Sequence, residues 1–311
     1  MKRLVSTVGL EKEEWMKYRK QGITGTDAGA IVGLNPYVSA FKIYQDKVTD
    51  EIEDIDNESM RQGRDLEAYV AKRFEEQTGK KVKRANAIYY NPQHEWMLAD
   101  FDRLIVGEKA GLECKTVNAY SADKWKDGKI PLHYQLQVQH YLAVSGYECW
   151  YIAALIFGRE FIVHKIERDE EMIHDLIIIE ERFWKQNVLL NNPPDPDGSK
   201  NYTEMLNRRF KGNEDKSMYL LGVQEDLERR GEIDALLARL TQEKNEIDQK
   251  IKLQMQDATY GEAGAYSVFW VPYSQKRIDS TRLKKENPEI YQEYTKTVNS
   301  RKFTVKYREA A

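Results

Sequence analysis

A mixed α/β fold is what the sequence predicts, on three observations. Segments with apolar residues at helical spacing alternate with short segments that read as strands. Glycines stand where the helical spacing stops, as at Gly79 and Gly146. A single run, Asn191-Asn-Pro-Pro-Asp-Pro-Asp-Gly198, interrupts the chain, and a charged helical pattern follows it.

The elements follow in order. Glu11 to Lys20 reads as a helix. Gly22-Ile-Thr-Gly-Thr-Asp27 reads as a turn, with Thr26 or Asp27 as N-cap of a helix through Val32. Gly63 to Gln77 is amphipathic, with Leu66, Tyr69, Val70 and Phe74 on one face. Ala87 to Tyr90, Trp96 to Ile105 and Gly111 to Val117 read as strands. Leu132 to Ser145 starts with strand-like alternation, but its length and the following Gly146 favour a helix. Trp150 to Phe157 and Glu160 to Ile166 form an expected hairpin turning at Gly158-Arg159. Asp169 starts a helix carrying Met172, Ile173, Leu176, Ile179, Phe183 and Trp184. Gln224 to Gln256 is a charged helical pattern. There Ile233, Leu237, Leu240, Ile247 and Ile251 span fewer than three heptads, with Lys244 at the skipped position. That predicts a short hairpin-like arm rather than a long coiled coil. Gly264 to Tyr273 and Ser300 to Tyr307 read as strands, and Asn287 to Tyr291 starts a short helix. The expected domains are 1–190, a linker and irregular segment over 191–221, and an extension over 222–311.

Composition narrows the function. The 311 residues are 32% charged and 41% hydrophobic, as in soluble globular chains. The longest apolar run, Tyr151 to Phe157, is too short to span a bilayer. The start lacks the apolar stretch of a secretory signal. Two cysteines, Cys114 and Cys149, exclude a disulfide scaffold and a four-cysteine cluster. The expectation is a cytoplasmic protein with no membrane association. Net charge is −3, yet Pro272 to Ala311 carries ten Lys/Arg and five Asp/Glu. A basic end on an acidic body points to an anionic partner, nucleic acid first, although a solvated charged surface has the same composition.

The chemistry lies in Ala99 to Thr116. Asp102 is followed about ten residues later by Glu113-Cys114-Lys115. In a strand Glu113 and Lys115 share one face, while Leu112 and Cys114 take the other. A hairpin would bring Asp102 beside Glu113, giving a hard oxygen site suited to Mg²⁺ or Mn²⁺. Lys115 would add a positive charge that orients a water for phosphodiester hydrolysis. Alone this spacing is weak, because a salt-bridged hairpin edge reads the same way.

Four motifs in order make it specific: Trp15-Met-Lys-Tyr-Arg19 with Ile23-Thr-Gly-Thr-Asp-Ala-Gly-Ala-Ile-Val-Gly-Leu-Asn-Pro-Tyr37; Gly63-Arg-Asp-Leu-Glu67; Asp102 with Glu113-Cys-Lys115; and Ile130-Pro131 with Gln137-Val-Gln139-His-Tyr. Over roughly residues 10 to 190 the chain resembles the YqaJ and lambda-exonuclease family of phage-type recombination nucleases, within the PD-(D/E)XK superfamily. The resemblance implies a central mixed sheet flanked by helices, with the C-terminal helical arm and small β region added to it. It implies Asp102, Glu113, Glu67 and the backbone carbonyl of Cys114 as metal ligands. It gives Lys115 and Gln137 to the attacking water, and Arg19 and Thr26 to the phosphate at a DNA 5′ end. Met60 falls where the family can place an apolar wedge, although its core reading is preferred. Arg103 stands where the family usually has glycine. Asp100 lies two residues before Asp102 and leaves open which of the two meets the metal.

Outside the resemblance, Tyr120 to Lys129 mixes Trp125 with Lys124 and Lys126, a pattern for gripping DNA by stacking and phosphate contact unless Trp125 is tucked inward. The basic Arg301-Lys302 and Lys306 to Arg308 point to DNA, a protein partner or another subunit.

The expectation is a Mg²⁺-dependent exodeoxyribonuclease, with Mn²⁺ as substitute, acting 5′→3′ on double-stranded DNA ends to leave 3′ single strands for recombination. The implied partners are a single-strand annealing protein of the RecT/Bet type and further copies of the chain, with a trimeric ring as one arrangement. The rivals are an endonuclease or nickase of the same superfamily and a non-catalytic DNA-binding module.

Overall fold

In the computed structural model, residues 1–52, 56–212, 216–296 and 301–306 are described. The chain divides into two units, Met1–Leu206 and Asn207–Ala311.

The first unit is built on two sheets. Strands β1 (Lys2–Ser6), β3 (Ala87–Asn91) and β4 (His94–Asp100) form an antiparallel sheet in the order β1-β3-β4. Strands β2 (Val82–Arg84), β5 (Arg103–Ile105), β6 (Ala110–Val117), β7 (Cys149–Ile156) and β8 (Glu160–Glu167) form the larger sheet in that order. It is mixed: β6 and β7 run parallel, and the other neighbours are antiparallel. Trp96 to Ile105 is therefore two strands in two sheets, where the sequence predicts one. The chain leaves the first sheet at Phe101-Asp102 and enters the second at Arg103.

Helices α1 (Lys12–Arg19), α2 (Gly25–Ile31), α3 (Ala40–Val48), α4 (Glu58–Thr78), α5 (Leu132–Ser145) and α6 (Glu170–Arg182) surround the sheets. The expected helix ends hold at Gly79 and Gly146, both left-handed. Asn57 caps α4, which starts before the expected Gly63. The cap of α2 is Thr24, not Thr26 or Asp27. Asp27 instead accepts from the Thr24 amide at 2.9 Å, the N3 half of a capping box.

The larger sheet packs on both faces. Leu112 and Cys114 lie with Val70, Ala71 and Phe74 of α4. Ile152, Ala154 and Ile156 of β7 lie on the other side with Val117, Trp125 and Tyr134. Gly111 is required by close approach, since a Cβ there would sit 2.1 Å from the Trp150 ring. A buried polar clamp fixes α5: His140 Nε2 donates to the Leu98 carbonyl at 2.8 Å, and Nδ1 meets Glu180 of α6 at 2.9 Å. Residues 119–128, expected to be a loop, form 3-10 turns broken by a kink at Lys126 and Asp127. Residues 200–209, expected within an irregular stretch, form helix α7 (Lys200–Arg209).

In the second unit, α8 (Gln224–Met255) is one continuous helix of 32 residues with no buried side chain. The helix expected from Gln224 is present with nearly the expected end, but it runs straight through instead of forming the short hairpin-like arm. Its surface is laced by pairs such as Arg230–Asp234 and Lys244–Asp248. β9 (Tyr260–Ala263) and β10 (Tyr266–Phe269) form a hairpin in place of the single strand expected from Gly264. α9 (Ser280–Glu286) and α10 (Pro288–Glu293) follow. The strand expected over 300–307 is absent from the described residues 301–306, where Arg301 donates to the Phe210 carbonyl at 3.0 Å. Ser300, Tyr307 and Arg308 lie outside the described residues.

Candidate active site

The site starts from strand alternation. Glu113 and Lys115 of β6 project away from the Leu112–Cys114 side that packs on α4. β5 pairs antiparallel with β6, with Arg103 opposite Leu112, so Asp102 comes level with Glu113. An Asp102 Oδ2 accepts from the Cys114 amide at 2.7 Å and is fixed there. The Cys114 thiol itself is kept protonated, pushed up by burial.

α5 supplies the fourth wall. Gln137 is buried, and its Nε2 donates to Glu113 Oε1 at 2.7 Å and to the Tyr141 hydroxyl oxygen at 2.8 Å. Its Oε1 accepts from Lys115 Nζ at 3.1 Å. Lys115 Nζ also lies 2.6 Å from Glu113 Oε1 and 4.7 Å from the Tyr134 ring centre. Burial works against the Lys115 charge, but Glu113 and Tyr134 outweigh it and hold the ammonium above its ordinary range. Tyr141 needs Gly25 beside it, because a Cβ there would come within 2.4 Å of the ring. Tyr134 and Tyr141 flank Gln137 at helical spacing of three and four. That spacing was the signal for them, and the sequence reading did not use it.

Burial, then Glu113, then Glu67 push the Asp102 carboxyl well above its ordinary value. The Glu113 Oε2 atom is buried and has no hydrogen-bond partner. A buried carboxylate oxygen without a donor is costly, and a cation is one way to satisfy it. A hard divalent ion such as Mg²⁺ takes one or two carboxylates, water and substrate oxygens rather than a full protein cage. The oxygen set of Asp102, Glu113 and the Cys114 carbonyl fits such an ion. Glu67 sits differently: its carboxylate is paired with Arg103. Among the described residues no three His, Cys, Asp or Glu side chains converge as a metal-holding group.

A second polar cluster lies next to the first. The Arg19 guanidinium stacks on Trp15 at 4.5 Å, pairs with Asp100, and donates to Thr24 and Thr26 hydroxyls at 3.1 and 2.9 Å. Asp27 underlies it, ion-paired to the buried Lys47 at 2.9 Å. Asp100 thus belongs to Arg19, and Asp102 is the aspartate that faces Glu113. A cavity of about 260 Å³ is lined by Trp15, Asp100, Asp102, Glu67, Arg84 and Arg103, and so touches both clusters.

Two expectations are corrected. Trp125 is 2% exposed and packs 5.6 Å from Tyr134, so it belongs to the core and cannot stack on a base. Lys124 and Lys126 remain on the surface, Lys126 paired with Asp123. Met60 is 49% exposed at the start of α4 and is not a core residue.

The chain is similar in fold to the crystal structures of the alkaline exonuclease LHK-Exo from Laribacter hongkongensis, alone and in complex with dAMP. Each match has a TM-score of 0.51 at 20% identity and covers 63% of this chain and 100% of the other. Residues 14–148 match the model of the YqaJ-like viral recombinase domain. The chain is also 38% identical over 302 residues to the uncharacterized protein YqaJ of Bacillus subtilis (strain 168), covering 96% of this chain and 95% of that one. It therefore belongs to the YqaJ family. Among the described residues no helix is long and apolar enough to cross a membrane.

Proposed function

We propose that the chain is a Mg²⁺-dependent deoxyribonuclease, with Mn²⁺ able to substitute, acting 5′→3′ on double-stranded DNA ends to leave 3′ single strands for recombination. The observation that carries this is the unsatisfied Glu113 Oε2 beside Asp102 and Lys115. Asp102, Glu113 and the Cys114 carbonyl would hold the ion, which supplies Lewis-acid polarisation and a water of lowered pKa. Lys115 orients the attacking water and offsets the charge that builds on the phosphate oxygens. Gln137 fixes Glu113 and Lys115 relative to each other through both ends of its amide. Water oxygen bonds to phosphorus and gives up a proton to solvent, the P–O bond to the departing sugar breaks, and that sugar oxygen takes a proton from solvent, so that one proton passes overall from water to the leaving group. Arg19, with Thr26 beside it, offers a fork for a terminal phosphate. The same reading gives a single-strand annealing protein and further copies of the chain as partners.

A second reading, cutting without an end, draws on the pairing of Arg19 with Asp100, because a carboxylate already occupies the proposed phosphate anchor. The test is digestion of a linear duplex labelled at either end, beside a closed circle, with Mg²⁺ or EDTA. Wild type is expected to release the 5′ label only with Mg²⁺ and to spare the circle, and Lys115→Ala to slow release by about 10²–10³-fold. Cut circles would establish the second reading. Binding without any release of nucleotides would defeat both.

A further inference from the structure

Arg103 stands inside the acidic cluster, and the reading above gives it no task. Its side chain is only 7% exposed. Nη1 donates to the Glu67 carboxylate and, at 2.7 Å, to the backbone carbonyl of Asp102. It lines the same cavity as Asp102 and Glu67. The cluster therefore holds three carboxylates, Asp102, Glu113 and Glu67, and two cations, each with its own acidic partner: Lys115 on Glu113 and Arg103 on Glu67.

Resting on the nuclease reading of the Asp102–Glu113 pair, we propose that Arg103 is the resident second cation of the site. It withholds Glu67 from that pair, so the site takes one divalent ion rather than two. It also pins the Asp102 main chain, which makes it a positioning residue. The pairing turns the Glu67 carboxylate to Arg103. A second divalent ion would have to enter beside a buried guanidinium and a buried ammonium, a like-charge contact in a medium of low dielectric.

The test counts Mn²⁺ bound per chain, from the loss of the free-ion paramagnetic resonance signal, with thermal melts checking that each variant is folded. Two-metal nuclease sites are common, so the count discriminates. Wild type and Arg103→Lys are expected to bind one ion. Arg103→Gln frees Glu67 and binds two, and adding Glu67→Gln to it returns the count to one. Two ions in wild type, or an Arg103→Gln protein that keeps one ion at the wild-type affinity, overturns the proposal. Should Arg103→Gln not fold, the wild-type and Arg103→Lys counts still decide, because two ions in either contradicts it. Failure of the nuclease reading looks different: wild type takes up no Mn²⁺ and releases no nucleotides, and the proposal falls with it.

Discussion

Asp100 and Asp102 are two residues apart, yet they serve clusters of opposite character. Asp102 joins Glu113 and Glu67, where acids outnumber cations and a buried carboxylate oxygen lacks a partner. Asp100 joins Arg19, whose guanidinium also bonds the Thr24 and Thr26 hydroxyls, so that this carboxylate has its cation. One cluster is short of positive charge and the other is satisfied. The cause is local: the chain changes sheets between the two aspartates, so their side chains part. The difference teaches that a surplus of buried acid, not the presence of acids, marks where a cation fits.

The satisfied cluster can be broken from below. Asp27 partners the buried Lys47, and replacing it with Asn leaves that ammonium only the Arg19 carbonyl at 3.0 Å and the Asp46 carboxylate at 3.8 Å, at an expected cost of up to about 3 kcal/mol in urea unfolding. The pH dependence has a definite sign. Burial raises the Asp27 carboxyl, but Lys47 and Arg19 outweigh it and hold it below its ordinary value of 3.8. Its stabilisation is present above that value and is lost as pH falls through the lower folded value. Asp27→Asn should therefore be less stable at neutral pH and show a shallower acid limb; an unchanged limb contradicts the assignment.

Arg19→Ala sharpens the comparison by a smaller margin. A charge-assisted bond is worth about 1.5–3 kcal/mol, so preference for a 5′-phosphorylated over a 5′-hydroxyl duplex should shrink by about 10–100-fold. Binding competition between the two duplexes measures it, and a retained preference removes Arg19 from the phosphate role. The smallest effect is at Lys124 and Lys126. Each change to Ala should lower the salt slope of DNA binding by about one and leave cleavage rate intact.

Much of this site was legible in the sequence because it rests on short-range rules. Strand alternation separates Glu113 and Lys115 from Leu112 and Cys114, and the Gly146 stop makes 132–145 a helix that carries Gln137. What was not legible depends on distant partners. The Arg19–Asp100 pair spans 81 positions in the chain. Trp125 shows a basic surface pattern in sequence, and packing with residues distant in the chain, Ile152, Ala154 and Ile156 of β7 among them, draws it inward. Thr24, Thr26 and Asp27 are all capping residues, and local rules do not choose among them. Arg103 was visible as an unexpected residue, but its bond to Glu67 crosses from strand to helix.

The central claim is the division of labour between the two aspartates. It is tested most directly by single-turnover cleavage of one 5′-phosphorylated duplex with Mg²⁺ by Asp102→Asn and Asp100→Asn side by side. The account predicts that Asp102→Asn loses about 10²–10³-fold or more in rate while still binding DNA. Asp100→Asn should stay within about tenfold of wild type, because Asp100 pairs with Arg19 and does not face Glu113, and a lost hydrogen bond there is worth about 1.5 kcal/mol. An active Asp102→Asn beside an inactive Asp100→Asn would contradict it.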